Sequence, residues 1–499
     1  MPLERGENSS SNSTIADQLR SSLDKKIEDN TKNIEHAPRD LVIKRVPNML
    51  REENEKAYTP SVVSIGPLHS GNEYLQAMEA DKLRYMCFLF ERTQNPEETR
   101  KECEAAMLNM QNTLKKCYPD HFKENAENVT ITNLLGMILI DGCFIMELVY
   151  RHHKKEQDNP ILHNPLRYSA VQRDLLLLEN QIPFKVLEEL FRLTVTRLPA
   201  TATTSEGIPP GVSGSVRSSF RIRTFSRTPN TTPTPAPVPN ASLIEYLLGF
   251  FGDIMGLGDT GDITIKNEEA PLHILHLIYI CYQPPVSVKD PRGGGGGGEG
   301  EEQPVGYQGA TATQLRITGI KLRKSNNKRG FNLFDVKFLN HDSYVFFWRG
   351  RLEIPRFSIH NFTESFLRNL IAFEQCNPWI KISYFTSHAF LMDILMDSVE
   401  DVQILENAGV ICNHLGTSES VLKIFNGICR NAAVPRHFYY GDLLYQMKRF
   451  RKTWRKELGT LKRNCAGNLW IVLSVIAAFV LFVLTLLQTI YTICSYEKS

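Results

Sequence analysis

The chain has 499 residues, room for about two or three domains of ordinary size, and its 57 basic and 55 acidic residues leave a formal charge of +2. A balance this close to neutral does not favour a nucleic-acid-binding protein, which needs a basic surface. The 10 cysteines are scattered and form no CxxC pair, so neither a zinc module nor a disulfide framework is predicted.

Polar segments precede and interrupt the predicted fold. Residues 1–38 are rich in Ser and Asn and contain no apolar run typical of a secretory signal peptide, so we predict a disordered N-terminal tail. Residues 194–239 are dominated by Pro, Thr, Ser, Gly and Arg, and 284–309 include six consecutive glycines. Neither stretch can bury enough apolar surface to offset its ordering entropy, so both are predicted to be disordered loops.

Between these segments the spacing of apolar residues predicts one mainly α domain over 39–461. Residues 58–69, YTPSVVSIGPLH, are instead predicted to be extended chain on a core. Brief alternations around Ile317, Val336 and Leu352 predict a small antiparallel β element. The predicted helices cover 75–92, 103–114, 134–150, 173–193 with a break at Pro183, 272–282, 363–375, 388–407 capped by Gly409, 418–430 and 439–461.

The last apolar run, 469–490, contains no charged residue and is followed by a short tail, 491–499. As a helix it is about 33 Å long, enough to cross a hydrocarbon core of about 30 Å. We predict a single C-terminal transmembrane helix, the alternative being a buried core helix. Residues 134–150 are similarly apolar, but they carry Asp141 and Glu147. They are therefore predicted to form a buried core helix rather than a second membrane span.

A basic segment precedes the predicted anchor. By the positive-inside rule this flank is cytoplasmic, which predicts a tail-anchored protein with the bulk of the chain in the cytosol. The segment is also predicted to contact anionic lipid headgroups, and Cys465 is a candidate for acylation. Its basic residues are Lys448, Arg449, Arg451, Lys452, Arg455, Lys456, Lys462 and Arg463. The opposite topology would expose N-glycosylation sequons, which begin at Asn8, Asn12, Asn128, Asn230, Asn240 and Asn361.

The buried carboxylates are the residues to weigh for catalysis. Asp141 and Glu147 lie about 240° apart around their helix, so they do not form a facing pair. We expect structural ion pairs instead, with Arg84 or Arg173 as available cations for Asp141. A membrane-tethered enzyme that uses Asp141, Glu147 or Glu179 in a pocket remains the alternative.

Other polar groupings are not predicted to bind a metal or a cofactor. Asp393, Asp397 and Asp401, with Glu400, are expected to line the solvated face of one helix, since a cation cage needs ligands from several directions. The pairs His273/His276 and His152/His153, the second in a charged loop, lack further ligands. Nucleophile-elbow, phosphate-loop, dinucleotide-binding and kinase motifs are all absent from the sequence.

A set of ordered motifs resembles the plant-specific domain-of-unknown-function 247 family from about residue 41 to the end, apart from the two predicted loops. The motifs are Val46-Pro47, YTPSVVSIGPLH at 58–69, LIDGCFIMEL at 139–148, RDLLLLENQIPF at 173–184, RNLIAFEQC at 368–376, EDVQIL at 400–405, GVICNHLG at 409–416 and LTLLQTIY at 484–491. The resemblance implies a mainly helical plant domain with a C-terminal membrane helix and no established enzymatic activity.

Together these observations predict a plant single-pass membrane protein that acts through unknown protein partners and binds no nucleic acid. We interpret it as a non-enzymatic interaction or signalling component, with the plasma membrane as one candidate location.

Overall fold

A computed structural model shows how these segments pack. It describes residues 20–21, 42–119, 131–156, 159–198, 242–252, 254, 270–284, 309–325, 332–340, 350–435, 437–466 and 469–496. The predicted tail, apart from residues 20–21, and nearly all of the two predicted loops lie outside the described residues. The first loop was predicted to begin at 194, but a helical turn, Val195–Arg197, in which Val195 is buried, continues the fold past that point.

The predicted mainly α architecture is confirmed. The helices of the first part are α1 (Asn48–Arg51), α2 (Gln76–Glu91), α3 (Pro96–Asn109), α4 (Gln111–Cys117), α5 (Ile131–Lys154), α6 (Pro165–Asp174), α7 (Phe184–Leu193), α8 (Leu243–Phe251) and α9 (Ile274–Tyr282). The prediction for 103–114 merged the C-terminal part of α3 with α4. Helix α8 follows the first predicted loop and was missed.

Helix α5 is the centre of this part of the molecule. Every residue from Asp141 to Arg151 is buried, and α2, α3, α4, α7 and α8 all pack against it. A helix that is apolar all round is stable in water only when other elements cover it on all sides. The prediction of a buried core helix for 134–150 is therefore confirmed.

The segment between α6 and α7 is a buried loop, so the prediction that a helix continues from 173 to Pro183 was wrong. Asn180 Nδ2 donates to the carbonyl of Asp174 at 2.9 Å, and Gln181 Nε2 donates to the carbonyls of Leu175 and Leu177, each at 2.8 Å. These amide side chains satisfy carbonyl groups that an α-helix would otherwise pair with its own N–H groups. The four leucines 175–178 are consequently buried without forming a helix.

In the described part of the chain, the β element consists of five short strands in two small sheets. Strands β1 (Ile320–Lys324), β2 (Lys337–Asn340) and β3 (Gly350–Ile354) form one sheet in the order β1-β3-β2, and β4 (Phe357–Ile359) pairs with β5 (Ile411–Asn413). Because β1 runs parallel to β3 while β2 runs antiparallel to it, the first sheet is mixed and the prediction of an antiparallel element was wrong in that detail. The alternation around Ile317 belongs to a helix, α10 (Ala312–Ile317).

The C-terminal part returns to helices: α11 (Thr363–Cys376), α12 (Tyr384–Leu395), α13 (Val399–Asn407), α14 (Ser418–Ile428), α15 (Gly441–Ala466) and α16 (Leu469–Tyr496). The helix predicted over 388–407 is two helices, because Ser398 adopts an extended conformation and caps α13. Gly409 has φ +72°, in the left-handed region that favours glycine after a helix, as the predicted cap requires.

Candidate functional site

The segment predicted to be extended, 58–69, ends in a short 3-10 turn, Pro67–His69, and is otherwise without helix or strand. This extended segment is held by a carboxylate from the end of α6. Asp174 Oδ2 accepts the backbone N–H groups of Ser61, Val62 and Val63 at 2.9, 2.6 and 3.1 Å. The Asp174 side chain is inaccessible to solvent. Three consecutive N–H groups that converge on one buried oxygen satisfy a segment that pairs with no strand, so Asp174 has a structural role.

Asp141 holds the next residues of the same segment. Its Oδ2 accepts the N–H of Gly66 at 2.8 Å, and its Oδ1 lies 2.5 Å from Lys82 Nζ, which also donates to the carbonyl of Ser64 at 2.9 Å. Burial raises the pKa of Asp141 to about 6, while the Lys82 ammonium and the Gly66 N–H act in the opposite direction. The expected structural ion pair is present, and it joins α5, α2 and the extended segment.

The predicted partners of Asp141 were wrong. Arg84 pairs with Asp81 at 3.0 Å on the exposed side of α2, and Arg173 pairs with Asp174 at 2.8 Å. The sequence contained a signal for Lys82, because Met78, Lys82 and Tyr85 recur at the spacing of one helix face. A lysine on a buried apolar face requires an acid as its partner. The pattern therefore implies that such an acid exists, but it does not identify which residue it is.

Glu179, in the loop after α6, contacts three residues from the N-terminal part of the chain. It accepts the N–H of Val46 at 2.6 Å and the guanidinium of Arg51, and His69 Nε2 lies 3.0 Å from its second oxygen. Burial alone would raise the pKa of Glu179, but the contacts with His69, Arg51 and Val46 lower it below its usual range.

Glu147 has a separate pair of cations. Arg92 Nε lies 3.0 Å and Arg151 Nε 2.6 Å from Glu147 Oε1. Burial raises the pKa of the Glu147 carboxyl, although both guanidiniums act to lower it. Asp141, Glu147 and Glu179 therefore each have their own cation and share no partner. A surface depression of about 440 Å³ between α3 and α7 has a different lining, which includes Asn109, Lys185, Glu188 and Arg192.

The acidic residues expected on one solvated helix face do not share a helix: Asp393 is in α12, Asp397 is in the connection after it, and Glu400 and Asp401 are in α13. Asp401 is 2% exposed and forms a capping box with Ser398 at the start of α13, and it also accepts the N–H of Thr313 at 2.7 Å. The interpretation of Asp401 as a solvated residue was therefore wrong. The signal for the correct role was the spacing of Ser398 and Asp401, since an acid three residues after a serine is a typical capping box.

The histidine pairs serve local structure. His273 Nδ1 accepts the N–H of His276 at 3.2 Å, and His276 Nδ1 accepts the N–H of Leu272 at 3.1 Å. Burial lowers the pKa of His276 to about 4. His152 and His153 lie at the end of α5 rather than in a loop, where their rings stack on Tyr168 and Tyr246. Among the described residues, no group of three His, Cys, Asp or Glu side chains is arranged to hold a metal ion.

The remaining candidate for function is the C-terminal pair of helices. Leu443 and Met447 of α15 are buried against the body, meaning the part of the chain before α15. The ring centroids of Phe450 and of Phe338 in β2 are 5.5 Å apart. On the exposed side of α15 a basic stripe, defined as Lys448, Lys452 and Lys456, recurs every four residues. Helix α15 is thus docked through one face and cationic on another.

Helix α16 differs from α5, although both are long and apolar enough to cross a membrane. The most apolar window of α5 is 67% buried, whereas none of the window 476–493 in α16 is buried. The 18-residue window 476–493, which no other part of the described chain covers, makes α16 a candidate membrane span by length and composition.

Comparison with known proteins identifies related sequences. The model of a family described as a plant protein of unknown function, DUF247, matches residues 43–484. UPF0481 protein At3g47200 of Arabidopsis thaliana is 26% identical over 470 residues, which cover 91% of this chain and 86% of that protein. Putative UPF0481 protein At3g02645, also of Arabidopsis thaliana, is 21% identical over 514 residues, covering 89% and 88%. No solved structure matches the chain.

Proposed function

Since the chain belongs to DUF247, a plant protein family of unknown function, we propose that it is a single-pass membrane-anchored protein that acts by binding partner proteins rather than by catalysis. The observation that carries this proposal is the contrast between α5, which the body covers, and α16, which remains uncovered directly after a basic helix. Burial of the apolar face of α16 in lipid would remove that exposure.

The orientation of the anchor follows from the charge before it. Eight Lys and Arg residues stand between 448 and 463, against one acid, Glu457, and such a flank favours the cytoplasmic side. The body of the protein then lies in the cytosol, with a short C-terminal tail across the membrane. The plasma membrane is one membrane in which this tail anchor would fit.

The same helix is proposed to touch anionic headgroups. The basic stripe lies on the exposed side of α15, opposite the side that packs on the body. If α15 lay along the bilayer surface, the three lysines would face the lipid headgroups and the body would face the aqueous phase. Each such cation near an anionic leaflet contributes about 1 kcal/mol of binding free energy.

A binding role is favoured over catalysis by how the buried acids are used. The acceptor groups of Asp141, Glu147 and Glu179 are engaged by cations and backbone N–H groups of the same domain. A general acid or base needs hydrogen-bond reach to a substrate, and these carboxylates are buried and paired with cations of the same domain. Partner proteins would therefore be recognised by the surface of the domain.

Fractionation of plant cells tests the anchor. The full chain should stay in the membrane pellet after alkaline carbonate extraction, and a chain that ends at 468 should lose this resistance. A matched control replaces apolar residues of α16 with other apolar residues and should keep it. Extraction of the full chain by carbonate would refute the proposal of a transmembrane anchor.

Protease treatment of sealed vesicles tests the orientation. The Pro/Thr-rich stretch 201–239 should be cleaved from the cytosolic side, and a glycosylation tag placed after Ser499 should acquire a glycan. Asn361 is exposed in the turn just before α11 within an Asn-x-Thr sequon, so it offers an internal control. A glycan on Asn361 together with protection from protease would overturn the cytosolic placement.

A further inference from the structure

A cluster of nucleophilic and cationic side chains lies on the small β4–β5 sheet, away from both the buried carboxylates and the C-terminal helices. Cys412 of β5 has its sulfur 3.0 Å from Arg356 Nη2, at the residue before β4, and 3.4 Å from Nε2 of His414. The His414 ring is stacked on that of His360, with ring centroids 4.2 Å apart and planes 9° from parallel. We refer to Arg356, Cys412, His414 and His360 as the thiol cluster.

The surroundings of Cys412 differ from those of most other described cysteines. Burial raises the pKa of Cys103 and Cys117 to about 12, which keeps those thiols protonated and unreactive. Cys412 is partly exposed, and its sulfur accepts from a guanidinium. A thiolate is the reactive form of cysteine, and a neighbouring cation and hydrogen-bond donors stabilise it.

We propose that Cys412 is a reactive thiol that peroxide oxidises reversibly, with Arg356 and His414 as the residues that position and stabilise its thiolate. In the step we propose, the Cys412 sulfur attacks one oxygen of hydrogen peroxide and the O–O bond breaks. The sulfur is oxidised by two electrons to a sulfenic acid, and the departing hydroxide takes up a proton and leaves as water. A small cellular thiol can then attack the sulfenic acid, releasing water and forming a mixed disulfide that a second thiol reduces.

A metal site is the other chemistry that a cysteine beside two histidines suggests, and Arg356 argues against it. The guanidinium occupies an acceptor direction of the sulfur and would repel a dication placed there. The proposal concerns the body of the protein alone, so it does not depend on the membrane anchor or on a particular partner.

Alkylation of the folded full chain in detergent micelles tests the reactivity. With iodoacetamide at limiting concentration and peptide mapping by mass spectrometry, Cys412 should be modified roughly tenfold faster than Cys87, an exposed thiol on α2. Arg356→Gln should bring the rate of Cys412 close to that of Cys87, and Arg356→Lys, which keeps the charge, should preserve part of the difference. Arg356 is exposed, and a thermal melt of each variant checks that the fold is unchanged.

Trapping of the oxidised form tests the chemistry. After brief exposure to hydrogen peroxide, a cyclic 1,3-dione probe should label Cys412, and the label should disappear in Cys412→Ser or when glutathione is added before the probe. His414→Asn should reduce labelling while leaving that of Cys87 unchanged. Equal alkylation rates for Cys412 and Cys87, a rate unaffected by Arg356→Gln, or a dione label absent from Cys412 would each overturn the proposal.

Discussion

Lys82 Nζ lies 2.5 Å from Asp141 Oδ1 in a region where both side chains are almost entirely inaccessible. The pair connects α2 to α5, and the hydrogen bonds of the two residues to Ser64 and Gly66 connect both helices to the extended segment. Two opposite charges in a low-dielectric interior are tolerated only when each is paired and hydrogen-bonded. This geometry explains why a helix as apolar as α5 contains a carboxylate.

Removal of Lys82 should therefore be severely destabilising. Lys82→Met leaves Asp141 with the Gly66 N–H and no cation, and we expect the free energy of unfolding to fall by about 3–5 kcal/mol. Lys82→Met combined with Asp141→Leu should recover part of that loss, because no isolated charge remains. Urea unfolding of the full chain in detergent, followed by circular dichroism, measures both variants.

A pair on the same helix provides the control for this cycle. Arg84 and Asp81 also make an ion pair at 3.0 Å, but the Arg84 side chain is 60% exposed. Arg84→Ala should change the free energy of unfolding by less than about 0.5 kcal/mol, since water replaces the lost contact. A loss as large as that for Lys82→Met would contradict the structural assignment of the buried pair.

Gly66 should not tolerate a side chain. Its φ of +70° and ψ of −176° lie in a region that is essentially restricted to glycine, and an added Cβ would lie 2.9 Å from the carbonyl oxygen of Gln181. We expect Gly66→Ala to cost about 1–3 kcal/mol, seen as a lower unfolding midpoint. Gly71→Ala is the matched control, because an added Cβ there meets no atom within 4 Å.

Acid should act on the fold through buried neutral histidines. Burial lowers the pKa of His388 to about 4, and its ring faces the hydroxyl of Tyr440 and the rings of Phe334 and Phe357. A depressed folded-state pKa gives stability that is present above about pH 6.5 and is lost as the pH falls towards 4. His388→Leu removes this group. As the pH falls from 6.5 to 4, the free energy of unfolding of His388→Leu should therefore rise by about 3 kcal/mol relative to that of the unsubstituted protein.

Comparing the two proteins at each pH isolates His388, because the raised pKa values of Asp141 and Glu374 have the opposite effect on stability and cancel in the difference. Unfolding free energies between pH 7 and pH 4 supply the measurement. Substitution of the exposed His163 by Leu should leave the profile unchanged. If the difference in unfolding free energy between His388→Leu and the unsubstituted protein did not change with pH, the folded protein would protonate His388 without losing stability, which would contradict the prediction.

The basic stripe should bind anionic lipid. A chain that ends at 468 should associate with vesicles containing phosphatidylserine, and alanine at Lys448, Lys452 and Lys456 should weaken this by about 1 kcal/mol per charge. Alanine at Lys321, Arg323 and Lys324, exposed on β1, removes the same charge elsewhere and should have little effect. Co-sedimentation with the vesicles at several salt concentrations compares the two triple variants. An equal loss of vesicle binding in both would show that only the net charge of the protein matters.

Much of the secondary structure could be predicted from local patterns. Helices α5, α11 and α14 lie close to their predicted bounds because each has an apolar repeat long enough to define a period. The loop after α6 and the break before α13 could not be predicted in this way. There the side chains of Asn180, Gln181 and Ser398 compete with the helix for backbone groups, and the outcome depends on what packs around them.

The sequence by itself determined that this protein has a candidate anchor at 469–490 and a second long apolar stretch at 134–150. Length, hydropathy and the absence of charge are properties of a contiguous stretch, and they need no knowledge of the rest of the chain. Only the tertiary structure decided that α5 is covered while α16 is not, and that Asp141 pairs with Lys82 rather than with Arg84 or Arg173. Those facts depend on where distant segments pass one another, because a buried charge is stabilised by the nearest cation in space, whatever its separation along the chain.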